Sequence, residues 1–341
     1  MDTSLREFLN QPLKIGGRTI GGRLLLAPMT HLGHVAFREL LAGFGGYGLL
    51  FSEMCSARSI PQETRQRSSA YFRWRKAELG QLVCQIVGDE PEQMAAAARQ
   101  IERIGFFGVD INFGCSTKAI CSRKLGAAVL KHPGRAAQIV SAVRQAVQIP
   151  VFVKYRTGWQ DDVRPALELA RRFEAAGADA LTFHPRVAPD RRSRPPRWQY
   201  ITRIKSAVGI PVFGNGNVFT LEDCRKMIEM TGCDGIALGR IGIARPWVFA
   251  CWSNGFGVRP EVYLDTMLRL DQLTQAHFDP PGALRRYKRF CMYYCANFRF
   301  GHTLYSRIQN EACLTTIRNR ILDFFDSAPE FTVRPNMNLF H

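Results

Sequence analysis

The sequence is short of acidic residues. Its 341 residues include 46 lysines and arginines but only 29 aspartates and glutamates, which gives a formal net charge of +17. The excess is clustered: residues 58–76 carry six cations against Glu63, residues 186–205 seven against Asp190, and residues 285–320 eight against Glu311. Any single cluster is typical of a solvated face, but three in so basic a chain favour nucleic acid as the partner.

Long apolar runs and closely paired cysteines are also missing. No apolar stretch approaches the ~20 residues that a membrane span needs, and the N-terminus is polar. The ten cysteines include no Cys-x-x-Cys pair, which argues against a zinc site and against a secreted disulfide scaffold. We therefore expect a cytoplasmic protein with reduced thiols, no metal and no membrane association.

Short apolar runs alternate with helical segments over about 250 residues, which is typical of a (β/α)8 TIM barrel. The runs are Arg23–Pro28, Tyr47–Ser52, Leu82–Val87, Val109–Phe113, Pro150–Lys154, Ala180–Phe183, Pro211–Phe213 and Asp234–Leu238. A doubly wound open sheet is the alternative, and it is disfavoured because no Gly-x-Gly-x-x-Gly follows the first strand.

After Gly257 the strand pattern stops and a helical pattern follows. Helices are predicted over Pro260–Phe278, Ala283–Phe300 and Tyr305–Phe325, with a break at Pro280-Pro281-Gly282. We therefore expect a catalytic barrel domain over residues 1–255 and a C-terminal helical domain over residues 256–341.

Polar or reactive groups follow nearly every predicted strand. They are Met29, Glu53, Gln85, Asn112 with Cys115, Lys154, His184, Asn215, and Gly239 with Arg240. A barrel places its active site at the carboxyl ends of its strands. Each group alone has an ordinary structural explanation, but such explanations do not easily account for the whole set, which predicts an active site at this rim.

The loop after the fourth strand carries Cys115 and Lys118, followed by Arg123 and Lys124. Free cysteines are usually small buried hydrophobes. A cysteine at the end of a barrel strand and among cations instead indicates a reactive thiol. Cys121 on the same loop is a competing thiol.

Glycine-rich turns follow the last two strands, at Phe213–Asn217 and Ala237–Gly242. Barrels often bind phosphate at this place, because glycine lets the backbone N–H groups approach the anion, and Arg240 adds a forked donor. Lys154 places a cation in the barrel mouth, where it would stabilise an anionic reduced flavin. Together these features predict a phosphorylated planar cofactor.

These residues together resemble the tRNA-dihydrouridine synthase family. The matching strings run in family order: Leu25–Met29 with Phe37 and Arg38, Gln85–Gly88, Asp110–Cys115 with Lys118, Gly126–Leu130, Val153–Trp159, His184–Arg186, Gly214–Gly216, and Leu238–Arg240 with Pro246 and Trp247. Two departures stand out: Ser116 replaces the family's usual proline, and Gly33-His34 replaces its usual Thr-Asp.

The resemblance implies an FMN-dependent enzyme in which NADPH reduces the flavin and the flavin passes hydride to C6 of a uracil in tRNA. Cys115 would protonate C5 as the general acid, Asn112 would lie near the reacting base, and Lys118 belongs to the same catalytic loop. The implied FMN contacts are Pro28, Met29, Gln85, Lys154, His184, Asn215, Gly216, Gly239 and Arg240. The base must leave its stack to meet the flavin, and the resemblance favours a monomer.

The predicted helix Ala283–Phe300 is the candidate RNA-binding element. Offsets of three and four place Arg285, Lys288 and Arg289 on one face. The aromatic residues Phe290, Tyr293, Tyr294 and Phe298 are expected to pack on the other side as core.

Other functions remain open at this point. An FMN barrel that acts on a small molecule shares the phosphate and lysine features but leaves the charge of +17 unexplained. A non-catalytic RNA-binding protein explains the charge but assigns no function to the polar residues at the strand ends. The sequence also does not separate tRNA from ribosomal RNA as the substrate.

Overall fold

The computed structural model describes residues 3–63, 69–190 and 194–336. The chain divides into two compact units, which we call the barrel unit (Met1–Pro28 and Tyr47–Leu238) and the helical unit (Met29–Gly46 and Gly239–His341). Four arginines of the predicted basic clusters lie outside the described residues: Arg65, Arg67, Arg191 and Arg192.

The strands are short, and those of the barrel are buried almost throughout. They are β1 (Leu13–Ile15), β2 (Arg18–Ile20), β3 (Leu24–Leu26), β4 (Leu49–Phe51), β5 (Cys55–Ser56), β6 (Leu82–Val87), β7 (Gly108–Phe113), β8 (Val151–Gly158), β9 (Ala180–Val187), β10 (Val212–Asn215) and β11 (Gly235–Leu238).

Helices of the barrel unit are α1 (Thr3–Asn10), α3 (Pro91–Ile104), α4 (Lys118–Cys121), α5 (Pro133–Ala146), α6 (Arg164–Ala175), α7 (Gln199–Lys205) and α8 (Leu221–Thr231). Those of the helical unit are α2 (Val35–Phe44), α9 (Arg240–Ala244), α10 (Val248–Asn254), α11 (Glu261–His277), α12 (Pro280–Tyr294), α13 (Gly301–Asn310) and α14 (Leu314–Asp326). Short 3₁₀ turns cover Ile60–Gln62, Lys76–Gln81, Gly126–Lys131 and Cys295–Asn297.

Parallel pairing closes the main sheet into a ring. The order is β3, β4, β6, β7, β8, β9, β10 and β11, and β11 pairs in turn with β3. The small strand β5 pairs with the upper part of β6, beyond the end of β4. The predicted (β/α)8 barrel is confirmed, and the C-terminal region is helical as expected.

The barrel interior is filled by apolar side chains near the amino ends of the strands. One buried cluster joins residues from around the ring: Leu25, Leu49, Phe51, Val83, Phe152, Ala180, Phe213 and Ala237. Ile15 and Ile20 of the antiparallel hairpin β1–β2 belong to the same cluster. This hairpin has no clear signal in the sequence, because each of its strands has only three residues and exposes a polar one.

Two strands are longer than predicted. The apolar runs end at Lys154 and Phe183, whereas β8 continues to Gly158 and β9 to Val187. The added residues include Arg156, His184 and Arg186, which alternate with buried apolar positions. Polar side chains that point into a barrel mouth interrupt the apolar run before the strand ends, so the apolar run underestimates the length of the strand.

The helical unit differs from the prediction at its helix ends. Pro280 and Pro281 begin α12 and do not break it, because proline fits the first turn of a helix, where its missing N–H leaves no bond unmade. The predicted third helix is two helices, α13 and α14. Phe290, Tyr293, Tyr294 and Phe298 are buried, which confirms them as core residues.

Arg245 ties the chain beyond α14 to the helical unit. Its guanidinium donates to Oδ1 of Asn297 at 2.7 Å and to the carbonyl oxygens of Thr332 at 2.7 Å and Val333 at 3.0 Å. Phe331 packs on Tyr263 with ring centroids 4.3 Å apart.

No helix among residues 3–63, 69–190 and 194–336 is long and apolar enough to cross a membrane.

The start of β4 requires a glycine. A Cβ on Gly48 would overlap the carbonyl oxygen of Gly22, whereas a Cβ on Gly21 would have no atom within 4 Å. We expect Gly48→Ala to lower the free energy of unfolding by about 1–3 kcal/mol or more, because two backbone segments must separate. Urea unfolding of both variants tests this; an equal effect of Gly21→Ala and Gly48→Ala would contradict the packing described.

Candidate active site in the barrel unit

The inner face of the barrel changes from apolar to polar along each strand. Side chains alternate, so Lys154 and Arg156 follow the core residue Phe152 on one face of β8. Strand register then places Gln85 beside Asp110, and Asn112 beside Lys154. The sequence prediction of polar groups at the strand ends thus corresponds to a polar layer above the apolar core.

A chain of hydrogen bonds runs through this layer. Nε2 of Gln85 donates to Oδ2 of Asp110 at 2.6 Å, and Nδ2 of Asn112 donates to Oε1 of Gln85 at 2.7 Å. Oδ1 of Asn112 accepts from the backbone N–H of Gly114 at 3.1 Å and of Cys115 at 2.9 Å. Asp110, Gln85 and Asn112 are all buried, so their geometry is fixed by partners and not by water.

The loop that carries Cys115 is held from several sides. Nε of Arg156 donates to the carbonyl oxygen of Gly114 at 2.7 Å, and the carbonyl oxygen of Cys115 accepts from the N–H of Ala127 at 2.8 Å. Gly126 has φ of +60°, and a Cβ there would lie 2.6 Å from the Cys115 carbonyl oxygen. This close approach explains why a glycine stands at position 126.

The two thiols of this loop have different surroundings. Cys115 is half-buried, and its Sγ lies 3.4 Å from Oγ1 of Thr117. Sγ of Cys121 lies 3.6 Å from the Cys115 carbonyl oxygen, and burial is the main cause that raises the pKa of Cys121. Lys118 is exposed at the start of α4.

Asp110 and Lys154 are opposite charges in the buried layer. Burial raises the pKa of Asp110 to about 7, against the opposing effects of the Gln85 hydrogen bond and the Lys154 charge. Burial lowers the pKa of Lys154 to about 8, while the Asp110 charge opposes that shift. Each group therefore stabilises the charged form of the other.

Arg186 joins the end of β9 to the loop after β10. Its Nη1 lies 3.1 Å from Nε2 of His184, and its Nη2 donates to Oδ1 of Asn217 at 3.0 Å. Gly216 has φ of +126°, and a Cβ there would lie 3.0 Å from Cδ2 of His184. Nδ2 of Asn215 donates to the carbonyl oxygen of Ala237 at 2.7 Å. The predicted residues His184, Asn215 and Gly216 thus lie on neighbouring strand ends.

The predicted site residues fall in both units. Pro28, Gln85, Asn112, Cys115, Lys118, Lys154, His184, Asn215 and Gly216 belong to the barrel unit, and Met29, Gly239 and Arg240 to the helical unit. Within the helical unit, a Cβ on Gly239 would lie 3.5 Å from Sδ of Met29. Arg240 is the first residue of α9 and is half-buried.

Sequence reasoning missed three buried residues of the barrel mouth: Asp110, Arg156 and Arg186. All three stand inside the strings that carried the family resemblance, but none was selected as a site residue. The sequence signal that identifies them is strand alternation: they lie two or four residues after an inward-facing residue of the same strand, and therefore on the same inner face.

The predicted RNA-binding residues lie on α12 of the helical unit. Arg285 and Arg289 are exposed, whereas Lys288 is half-buried and its Nζ donates to the carbonyl oxygen of Gln309 at 2.8 Å. Burial lowers the pKa of His31, and the charges of Arg289, Arg286 and Arg285 on this helix lower it further. Arg286, in contrast, is buried and stacks on Phe278 with its guanidinium carbon 4.0 Å from the ring centroid.

The family model described as "Dihydrouridine synthase (Dus)" matches residues 25–270. The tRNA-dihydrouridine synthase B of Pseudomonas aeruginosa is 37% identical over 240 residues, covering 70% of each chain, and that of Yersinia pestis is 36% identical over 237 residues, covering 70% of this chain and 73% of its own. The chain therefore belongs to the dihydrouridine synthase family of flavin-dependent oxidoreductases.

A solved structure gives independent support for the fold. A mutant of morphinone reductase in complex with tetrahydroNAD superposes with a TM-score of 0.53 at 14% identity, and the match covers 72% of this chain and 90% of that chain. At that identity the likeness shows the barrel fold alone.

The raised pKa of Asp110 gives a prediction for stability. Since its pKa rises from 3.8 to about 7 on folding, the folded state binds the proton more tightly in this window, and the free energy of unfolding falls as pH rises through it. Asp110→Asn removes the titrating group, so its unfolding free energy should rise relative to wild type between about pH 4 and about pH 7. Urea unfolding at both ends of the window measures this, and a constant difference would contradict it.

Proposed function

We propose that this chain is an FMN-dependent, NADPH-driven enzyme that reduces uridine to 5,6-dihydrouridine in tRNA. The observation that carries the proposal is the Cys115 loop. Its backbone is held by Asn112 and Arg156 at the end of β7, and its thiol remains half-buried beside the polar layer. The relatives named tRNA-dihydrouridine synthase B support tRNA as the substrate.

The residues of the barrel mouth fit a flavin mononucleotide. Lys154 supplies a cation, and Gln85 and Asn112 each keep one amide N–H outside their hydrogen bonds to the described residues. Thr182 stands opposite Lys154 in the register of β8 and β9. Its buried Oγ1 has no hydrogen-bond partner in the described part of the chain. This donor-rich set suits the carbonyl groups and the phosphate of FMN.

Different residues of the chain would contact different parts of the FMN. Lys154, Gln85 and His184 would hold the cofactor in the barrel unit, with Asn215 and Gly216 next to them. Met29, Gly239 and Arg240 are further FMN contacts that the family resemblance implies, and Arg240 would pair with the phosphate. FMN, when bound, supplies the hydride that C6 of the uracil accepts.

Cys115 would hold the proton that the uracil needs. Its Sγ would donate to C5 as general acid, a role that typically contributes ~10²–10⁴-fold to the rate. Asn112 would keep the loop in place and lie near the base, and Lys118 would add positive charge at the entrance of the loop. The target base would have to leave its stack to reach this thiol.

Dihydrouridine content of RNA from a strain that lacks the gene tests the proposal. We expect one position to lose the modification in the tRNA fraction, with full recovery on complementation. Loss in ribosomal RNA instead would move the substrate to that RNA. A purified protein that contains no flavin and takes up none would contradict the cofactor assignment and with it the reaction.

Cys115→Ala should lower dihydrouridine formation by about 10²–10⁴-fold while FMN binding and flavin reduction by NADPH remain, because neither step needs the thiol. Cys121→Ala is the matched control on the same loop and should remain near wild type. Stopped-flow flavin reduction and product analysis by mass spectrometry separate the two steps. If Cys121→Ala abolishes turnover and Cys115→Ala does not, the roles are exchanged.

RNA binding should depend on Arg285 and Arg289. Both are exposed, and neither has an acidic partner among the described residues. Replacing both with Ala should weaken tRNA binding, because fewer phosphates are then neutralised by the protein. The slope of log affinity against log salt concentration should become shallower by roughly 0.7–0.9 for each such phosphate, with FMN binding unchanged. Binding titrations at several salt concentrations measure both effects.

The matched control removes two other exposed arginines from the same unit. Arg299 pairs with Glu330 and Arg320 with Glu311, each at 2.8 Å. Arg299→Ala with Arg320→Ala removes the same charge, but these cations are already neutralised by acids. Equal losses of affinity in the two double variants would indicate an effect of total charge and would overturn the assignment of α12.

A further inference from the structure

Asp110 has no part in the proposed chemistry, yet it is fully buried at one end of the hydrogen-bonded chain of the barrel mouth. The chain runs from its Oδ2 through the amides of Gln85 and Asn112 to the backbone of Gly114 and Cys115. Each side-chain bond in it is short, at 2.6 Å and 2.7 Å. A buried carboxylate is costly, so its place at the end of such a chain calls for a physical reason.

The two ends of the chain fix its direction independently. At one end, the backbone N–H groups of Gly114 and Cys115 can only donate, so Asn112 must present its oxygen to them. At the other end, the ionised carboxylate, which is the form that the Lys154 charge favours, can only accept, so Gln85 must present its nitrogen to Asp110. The two requirements agree, because Nδ2 of Asn112 then meets Oε1 of Gln85 as donor and acceptor.

Removal of the acceptor at position 110 would leave the far end of the chain without its anchor. Nε2 of Gln85 would have no partner there, so the Gln85 side chain would be held by its bond from Asn112 alone. Asn112 would then have a less fixed acceptor, and its Oδ1 would hold the N–H groups of Gly114 and Cys115 less firmly. The carboxylate is thus linked to the Cys115 loop through two amides, without touching the loop itself.

We propose that Asp110 is a positioning residue: its carboxylate oxygen sets the orientation of the Gln85 and Asn112 amides, and through them it holds the backbone of the Cys115 loop. The part of this inference that concerns turnover rests on the proposed function. The part that concerns the loop does not, because the hydrogen bonds exist in the protein whatever its substrate.

The test uses three variants of the full-length protein. Asp110→Leu keeps the branching at Cγ and has no acceptor. Gln85→Met interrupts the chain in its middle and leaves both ends intact. Asp110→Asn keeps an oxygen in the same place and loses only the charge. Hydrogen exchange, resolved to the amides of Gly114 and Cys115, reports directly on the two bonds that Asn112 accepts.

We expect Asp110→Leu and Gln85→Met to speed exchange of these two amides by about tenfold or more, and Asp110→Asn to stay within about threefold of wild type. In the enzyme assay, Asp110→Leu should lower kcat with little change in the KM for tRNA, because the thiol loses its position while the RNA surface is intact. Asp110→Asn should restore most of that kcat.

The matched control is Asp271→Leu in the helical unit. Asp271 is equally buried and accepts from Nε of Arg318 and Nε2 of Gln275, each at 2.8 Å. Its replacement costs stability as well, but exchange at Gly114 and Cys115 should remain at the wild-type rate. An equal acceleration in this variant would show that only global stability is measured, and it would overturn the proposal.

Two other results would also overturn it. One is a wild-type exchange rate in Gln85→Met, which also decides the matter if Asp110→Leu does not fold. The other is an Asp110→Asn variant that loses as much protection as Asp110→Leu, since charge and not the acceptor would then be responsible. If exchange changes as expected but no RNA gains dihydrouridine, the proposed function fails and the positioning role stands.

Discussion

Closure of the parallel ring is the constraint on which the rest of the barrel unit depends. The pairing of β4 with β6 and of β11 with β3 fixes the register of every strand relative to its neighbours. All carboxyl ends therefore meet at one rim, and residues far apart in sequence become neighbours. Gln85 and Asp110 are 25 positions apart in the chain and share a hydrogen bond for this reason.

The same register separates the supporting part of the barrel from the chemical part. Below, Phe51 packs edge-to-face on Phe152 with ring centroids 5.6 Å apart, which excludes water from the strand starts. Two residues further along β8, the inward position is Lys154, and two further still it is Arg156. The tightly packed apolar core thus supports a layer of charged and amide side chains and keeps them in fixed positions.

The net charge of the chain overstates the charge that its surface offers to a partner. In the described part of the chain, Arg197 bridges Asp161 and Asp190, Lys205 pairs with Asp234, and Arg318 pairs with the buried Asp271. Composition counts all of these cations equally, because it does not record which of them face an acid. Only geometry shows that Arg285, Arg289 and Arg307, among the eight basic residues of their cluster, are exposed and lack an acidic partner in the described part of the chain.

The sequence was sufficient to predict the ring and most of its rim, because buried parallel strands appear as continuous apolar runs. It could not give the upper ends of β8 and β9, where inward polar residues interrupt those runs. The grouping of Met29–Gly46 with the C-terminal helices is a matter of tertiary contact, to which no local pattern corresponds. At the start of α2, where the sequence departs from the family resemblance, His34 caps the helix: its Nδ1 accepts from the N–H of Phe37 at 3.3 Å.

The buried polar layer shows why such a site needs more than its reactive groups. A cysteine on a free loop samples many positions, and a general acid is useful only where its proton meets the reacting carbon. Asn112 removes that freedom by holding two successive backbone N–H groups, but an amide by itself can turn around. A carboxylate that only accepts and a backbone that only donates leave the amides between them one arrangement. The burial of Asp110, unfavourable when considered alone, therefore anchors the end of the chain that the loop backbone does not reach.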